Sequence, residues 1–181
     1  MKISTITFEL KNGKSACLLN PEISDAEELL TYLKKSAGET EYVLRYPEEC
    51  LMTLEQEERF IHNVVSSDFD LMAVCKVDGR IAGNCHLMMN NRIKTRHRAS
   101  VAIALYKEFW NLGIGTRMFE LMISIAREKG ILQLELEYVE GNVRGEALYK
   151  KMGFETVSCK PNAIRLKDGT MLKEYFMVKM L

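Results

Sequence analysis

The chain carries no net charge: 25 lysines and arginines face 25 aspartates and glutamates across 181 residues. Without a global field it has no general attraction to nucleic acid or to an anionic membrane, which leaves only local patches for such roles. It also lacks any apolar run near the length that about 30 Å of hydrocarbon demands. Its first residues, MKISTITFEL, alternate apolar and polar where a signal peptide has a continuous apolar core. These absences predict a cytoplasmic protein with no membrane contact and no nucleic-acid partner. The cysteines, Cys17, Cys50, Cys75, Cys85 and Cys159, form no C-x-x-C pair. Reduced core thiols fit that scatter better than a disulfide framework or a zinc site, and no metal is expected. Repeats, low-complexity tracts and linkers are missing too, while 47% apolar and 28% charged residues are close to globular averages. One domain over residues 1–181 is the expectation.

Against those absences, the elements present are well marked. In STITFELKNGKSACLL, Asn12-Gly13 separates two short runs and predicts an opening hairpin with a type I′ turn. SDAEELLTYLKK predicts a first helix: Ser24 and Glu27 have capping-box spacing, and Ala26, Leu29, Leu30 and Leu33 share a face before Gly38. TLEQEERFIHNVVSS predicts a second, capped by Thr53 and Gln56, with Leu54, Phe60, Ile61, Val64 and Val65 on its apolar side. Two runs around Asp78-Gly79 and a third, RASVAIALY, predict a three-stranded meander. A helix from about Ile114 to Lys129 follows, stopped by Gly130. ILQLELEYV alternates Leu132, Leu134 and Leu136 with Gln133, Glu135 and Glu137, a strand with one apolar face. NVRGEALYKKM reads as a short helix stopped by Gly153, and KEYFMVKML as a closing strand.

Gly113 and Gly115, between a strand and a helix, form a generic anion site. The first helical turn leaves about four N–H groups unbonded, and glycine lets a phosphate approach the backbone. An ordinary strand-to-helix turn is equally open from this piece alone. It is no P-loop, because Thr116 and Arg117 follow Gly115, and no dinucleotide fingerprint, because Met118 stands at the third glycine.

With Asn142 seven residues before Tyr149, and Gly153-Phe154 behind, the chain resembles the GNAT superfamily of N-acetyltransferases. The stretches WNLGIGT and NVRGEALYKKMGF are similar to its R/Q-x-x-G-x-G/A loop and its N-x-x-A-x-x-L-Y-x-K-x-G-F segment. The resemblance implies an α/β (α+β) single-domain fold: a mixed, largely antiparallel twisted sheet with about four helices and an N-terminal hairpin. It departs from the family at Trp110, where Arg or Gln is usual, and at Gly145, where alanine is usual. The first departure leaves phosphate binding to backbone donors, and the second weakens its helix by up to about 1 kcal/mol if it lies in the interior.

The implied cosubstrate is acetyl-CoA. Its pyrophosphate would lie on the backbone of Trp110, Asn111, Leu112, Gly113, Ile114, Gly115 and Thr116, and its pantetheine arm would pair with Ile103, Ala104 and Leu105 like an added strand. Tyr149 is the implied general acid to the CoA thiolate, since a phenol with a pKa of about 10 is protonated at neutral pH. Asn142 would cap its helix or bond the cofactor. The base stays open among His97, Glu135, Glu137 and ordered water, while His86 reads as a strand residue. The acceptor is a small-molecule or peptide amine; Glu39, Glu41, Glu48 or Glu49 would attract a cationic one, or simply form a solvated acidic face. Acylation of protein amino termini, lysines or aminoacyl-tRNA, and a non-catalytic acyl-CoA sensor, are the rival readings. Homodimers are frequent in the family and are one state open to this chain.

Overall fold

The computed structural model describes residues 1–181. An opening hairpin, β1 (Ile6–Glu9) and β2 (Ser15–Leu19), is followed by helices α1 (Ala26–Glu39) and α2 (Leu54–Ser66). The meander β3 (Asp70–Val77), β4 (Arg80–Met89) and β5 (Arg98–Leu105) leads into α3 (Ile114–Glu128). Then come β6 (Gln133–Val139), α4 (Val143–Lys151), β7 (Glu155–Arg165) and β8 (Met171–Met180). All eight strands join one sheet in the order β1-β2-β3-β4-β5-β6-β8-β7. Every neighbouring pair is antiparallel except β5 with β6. The mixed, mainly antiparallel architecture with four helices is the one expected.

Helices cover both faces of the sheet, which explains why β3 reads as a continuous apolar run. Met72 and Val74 point to one side, where Leu29 and Tyr32 of α1 and Ile61 and Val64 of α2 pack on them. Leu71, Ala73 and Cys75 point to the other, into the larger core under α3. There Met118, Phe119 and Met122 are at most 1% exposed, each burial contributing about 1.5–3 kcal/mol.

Several local expectations need correction. The Asn12-Gly13 turn is not type I′, because Gly13 has positive φ and Asn12 does not. The Leu10 amide bonds the Lys14 carbonyl at 2.8 Å and the Gly13 amide bonds the Leu10 carbonyl at 2.9 Å, a three-residue loop. Asp78 (φ 52°) and Gly79 (φ 79°) do supply the two positive angles of a type I′ hairpin. Ser24 does not cap α1. A 3₁₀ turn at Ile23–Asp25 precedes the helix, with the Glu22 amide on Asp25 Oδ2 at 2.9 Å. Lys76 of β3 holds the other oxygen of Asp25 at 2.6 Å, so a tertiary ion pair determines where the helix starts. The Thr53–Gln56 capping box of α2 forms as expected, yet Leu54 and Phe60 stay exposed. Leu132 is also exposed, just ahead of β6. Cys75 and Cys85 are buried thiols, but Cys159 is exposed.

β7 was not foreseen as a separate strand. It is the last strand of the sheet and is exposed nearly throughout, so it has no apolar alternation to read. Its register against β8 shifts between Lys160 and Ile164, around Pro161, as expected of a proline that can enter only an edge strand or a bulge.

Candidate active site

The parallel pairing of β5 with β6 covers only three residue pairs and ends at Ser100 and Glu135. Beyond that point the strands separate. The amides of Leu132 and Gln133 bond the His97 carbonyl, so alternation aims the backbone groups of Val101, Ile103 and Leu105 at the edge that β6 vacates. A cleft of about 970 Å³ occupies this gap and passes from the α3 side of the sheet to the α1–α2 side. Ile103, Ala104, Leu105, Trp110, Asn111, Leu112, Gly113, Ile114, Gly115, Thr116, Asn142 and Tyr149 all line it. The sequence candidates for the cofactor and for catalysis therefore share one cavity.

At one end the loop after β5 turns sharply into α3. Asn111 (φ 63°) and Gly113 (φ 98°) both take left-handed backbone angles, and the Leu112 carbonyl is tied to the Lys11 amide at 3.2 Å. Gly113 is the N-cap of α3, and no side chain caps the helix. The first-turn donors are thus left for a ligand. The two glycines have different tasks. A Cβ on Gly113 would meet nothing within 4 Å, so backbone angle alone selects it. A Cβ on Gly115 would lie 2.7 Å from Leu148 Cδ2, so Gly115 allows α4 to close on α3.

α4 carries the other two candidates. Asn142 Oδ1 accepts the Gly145 amide at 2.9 Å, capping the helix, and the residue lines the cleft. Gly145 sits in the first turn of α4, so the cost of an interior glycine does not arise. A Cβ there would lie 2.6 to 2.8 Å from the Asn142 amide atoms, so glycine lets the cap fold tightly. Tyr149 is buried, its ring edge-on to Phe119 at 5.7 Å and tilted against Tyr138 at 5.9 Å. Burial, with Tyr138 adding to it, pushes the Tyr149 phenol up to about 12.

Trp110 does not simply remove a phosphate contact. Its indole N–H donates to the Leu105 carbonyl at 3.0 Å, ending the free edge of β5. The Arg144 guanidinium lies 5.2 Å from its ring centroid, a cation–π arrangement. Arg144 therefore places a positive charge over Trp110, the residue that stands where the resemblance leads one to expect Arg or Gln. Lys151 reaches the Thr116 hydroxyl at 3.3 Å, and Lys11 and Arg117 also line this end. Sequence reasoning missed these four cations; the signal available was Arg117 beside the glycine loop and Arg144 two residues after Asn142.

The other wing of the cleft opens between the sheet and the α1–α2 connection, with Asn84, His86, Ala102, Tyr42 and Arg45 on its walls. Tyr42 spans it, its hydroxyl donating to the Gly141 carbonyl at 2.8 Å. The acidic candidates lie outside this cleft. Glu39 accepts the Lys107 amide at 2.8 Å, Glu49 accepts the Tyr46 amide at 2.6 Å, and Glu48 pairs with Lys167. Glu39, Glu41 and Glu49 border a second pocket beyond the connection. Among the base candidates, His97 is exposed and Glu135 is held by Arg98 at 2.9 Å and Gln133 at 2.7 Å. Glu137 lines the cleft and pairs with Lys160 at 3.0 Å. His86, a strand residue by its sequence, lines it as well.

Glu57 of α2 is an unforeseen buried carboxylate: it is 1% exposed and its Oε2 has no partner. Burial raises its pKa, against a smaller opposing pull from Arg45. A raised folded value makes the charge a liability, with stability lost as pH rises from the unfolded value of about 4.3 through the folded one. Glu57→Gln is thus expected to match the parent in denaturant melts near pH 4 and to exceed it at pH 8. Equal or lower stability at pH 8 would contradict this account.

The acetyltransferase (GNAT) family model matches residues 29–154. A Bacillus subtilis (strain 168) protein, named as a candidate [ribosomal protein bS18]-alanine N-acetyltransferase, is 25% identical over 108 residues, which is 59% of this chain and 68% of that one. A GNAT-family acetyltransferase from Streptococcus pneumoniae superposes with a TM-score of 0.86 at 28% identity, covering 92% of this chain and 99% of the other. The Salmonella typhimurium candidate acetyltransferase yncA, solved with its cofactor acetyl-CoA, shares the fold with a TM-score of 0.77 at 14% identity, over 91% and 92% of the two chains.

Proposed function

Because the chain belongs to the acetyltransferase (GNAT) family, we propose that it moves the acetyl group of acetyl-CoA to a primary amine by direct attack in a ternary complex. The observation that carries this is the gap between β5 and β6. It joins an uncapped helix terminus, an unpaired strand edge and a buried phenol in one cleft.

The pyrophosphate lies on the N–H groups from Asn111 to Thr116, where the helix dipole favours an anion and Lys151 and Arg144 add charge. The pantetheine arm extends along Ile103 and Leu105 as an added strand. That brings the thioester into the gap beside Tyr149, while the amine enters from the α1–α2 wing. The neutral amine attacks the carbonyl carbon, a tetrahedral adduct forms, and the C–S bond breaks with Tyr149 donating to the departing sulfur. Amino termini of proteins are included among the acceptors, since the Bacillus relative is named for one.

Isothermal titration with acetyl-CoA should show one site per chain. A thiol-release assay over alanine-initiated peptides, free amino acids and polyamines should then find an acceptor. Absence of acetyl-CoA binding would overturn the proposal.

A further inference from the structure

We propose that His86, positioned by Asp70, takes the proton from the acceptor amine. This inference rests on the acetyltransferase reading of the cleft. His86 lines the α1–α2 wing, and its two ring nitrogens have different surroundings. Nε2 is sealed from solvent, makes no in-line hydrogen bond, and lies 3.3 Å from Asp70 Oδ1. The other Asp70 oxygen accepts the Ser67 hydroxyl at 2.8 Å, which fixes the carboxylate. A carboxylate facing Nε2 favours the tautomer with the proton there. The Nδ1 lone pair is then left without a protein partner, in a side chain that lines the cleft.

The neighbours of His86 come from four elements. Met72 of β3 and Ala102 of β5 flank it in register, the Phe60 ring of α2 lies 6.4 Å from it, and Asn84 shares its strand and face. Asp70 is the charged group acting on it, raising its pKa, while burial lowers the pKa by more. The free base is therefore the resting form at neutral pH. Ala102 is exposed although it sits in a central strand, because the cleft runs over it. Its methyl group leaves the floor open between the imidazole and the β5 edge at Ile103. Glu137, the other titratable candidate on these walls, already has Lys160 on its Oε1.

An ammonium loses two protons on becoming an amide. The first passes to His86 Nδ1 and on to solvent, freeing the lone pair that forms the N–C bond. The second leaves the nitrogen of the tetrahedral adduct and balances the proton the thiolate gains as the C–S bond breaks. The sum is R–NH₃⁺ plus acetyl-CoA giving the acetamide, CoA–SH and H⁺.

The test pairs a spectroscopic readout with kinetics. In ¹⁵N-labelled protein, His86 should be the Nε2–H tautomer with a pKa below about 6.5, and Asp70→Asn should lower that pKa further. With an alanine-initiated peptide as probe, kcat/KM should fall on the acid side through that same pKa. His86→Gln should lose about 100-fold at neutral pH, and added imidazole should restore rate to His86→Gly. Acetyl-CoA affinity should be unchanged in all three variants. An Nδ1–H tautomer, or a His86→Gln enzyme of parental rate whose acid limb disappears only with Glu137→Gln, would overturn the assignment. If the parent fails to bind acetyl-CoA, it is the acetyltransferase reading that falls; if it binds and turns over untouched by His86→Gln, only the His86 role does.

Discussion

Gly113→Val is expected to weaken acetyl-CoA binding at least about 100-fold in isothermal titration while leaving a folded protein. The added side chain meets no protein atom within 4 Å, so nothing in the fold rejects it by contact. Its costs are two. A β-branched residue resists φ 98°, with a penalty of roughly 1–2 kcal/mol, and the side chain occupies the open ground before the uncapped α3 terminus. If the loop relaxes to relieve the strain, two donors aimed at the pyrophosphate are lost. At about 1.5 kcal/mol or more for each charge-assisted bond, that is roughly 3 kcal/mol, or about 100-fold. Gly115→Ala makes the contrast. Its Cβ would crowd only the far end of Leu148, at 2.7 Å, with Ile103 Cδ1 at 3.6 Å an ordinary contact; the leucine tip can rotate away, and the Gly115 N–H stays where it is. That variant should bind acetyl-CoA within about 10-fold of the parent, within one 1.4 kcal/mol step. Parental affinity in Gly113→Val would mean that the pyrophosphate does not sit on this loop.

The contrast between these two glycines also shows what the sequence could and could not convey. The spacing of Gly113, Gly115, Asn142 and Tyr149 was legible as a motif, and three of them answer local demands: Gly113 a backbone angle, Asn142 a helix cap and Tyr149 a helix face, whereas Gly115 answers the approach of Leu148. Helices α2, α3 and α4 were legible for the same reason. The gap that makes the site was not, because it depends on where a parallel pairing between β5 and β6 stops. That is a long-range property, which no local pattern in either strand records. β8 lying between β6 and β7 is hidden likewise, since strand order leaves no periodicity. Trp110 read as a loss, yet Arg144 beside it supplies a cation from another element. His86 read as an ordinary strand residue because Asp70, which faces it, is 16 residues away in sequence and on the neighbouring strand. Nothing in the sequence singles out Glu57, and only the packed fold shows it buried.

Tyr149→Phe is expected to lower kcat by about 10- to 100-fold with acetyl-CoA affinity unchanged. The ring contacts with Phe119 and Tyr138 survive in phenylalanine, so fold and cofactor site should be intact. What disappears is one donor. Because the phenol is pushed up to about 12 and an ordinary thiol has a pKa near 8.5, complete proton transfer to the CoA thiolate is uphill. The gap is roughly 3.5 units, near 5 kcal/mol at about 1.4 kcal/mol per unit. Tyr149 therefore contributes chiefly a hydrogen bond that strengthens as charge grows on sulfur. A bond to a charged group is worth about 1.5–3 kcal/mol, which sets the expected range at about 1.4 kcal/mol per tenfold in rate. Two corollaries follow from the same numbers. Ionisation of Tyr149 should remove no activity up to about pH 10, two units below its folded pKa, so any basic limb belongs to another group. An acetyl thioester of a more acidic thiol, whose leaving group needs less help, should narrow the difference between Tyr149 and Phe. A non-catalytic acyl-CoA sensor would show neither effect, because it binds the cofactor with or without the hydroxyl. Equal kcat in parent and variant with a verified acceptor would remove Tyr149 from the chemistry and leave its ring as packing alone.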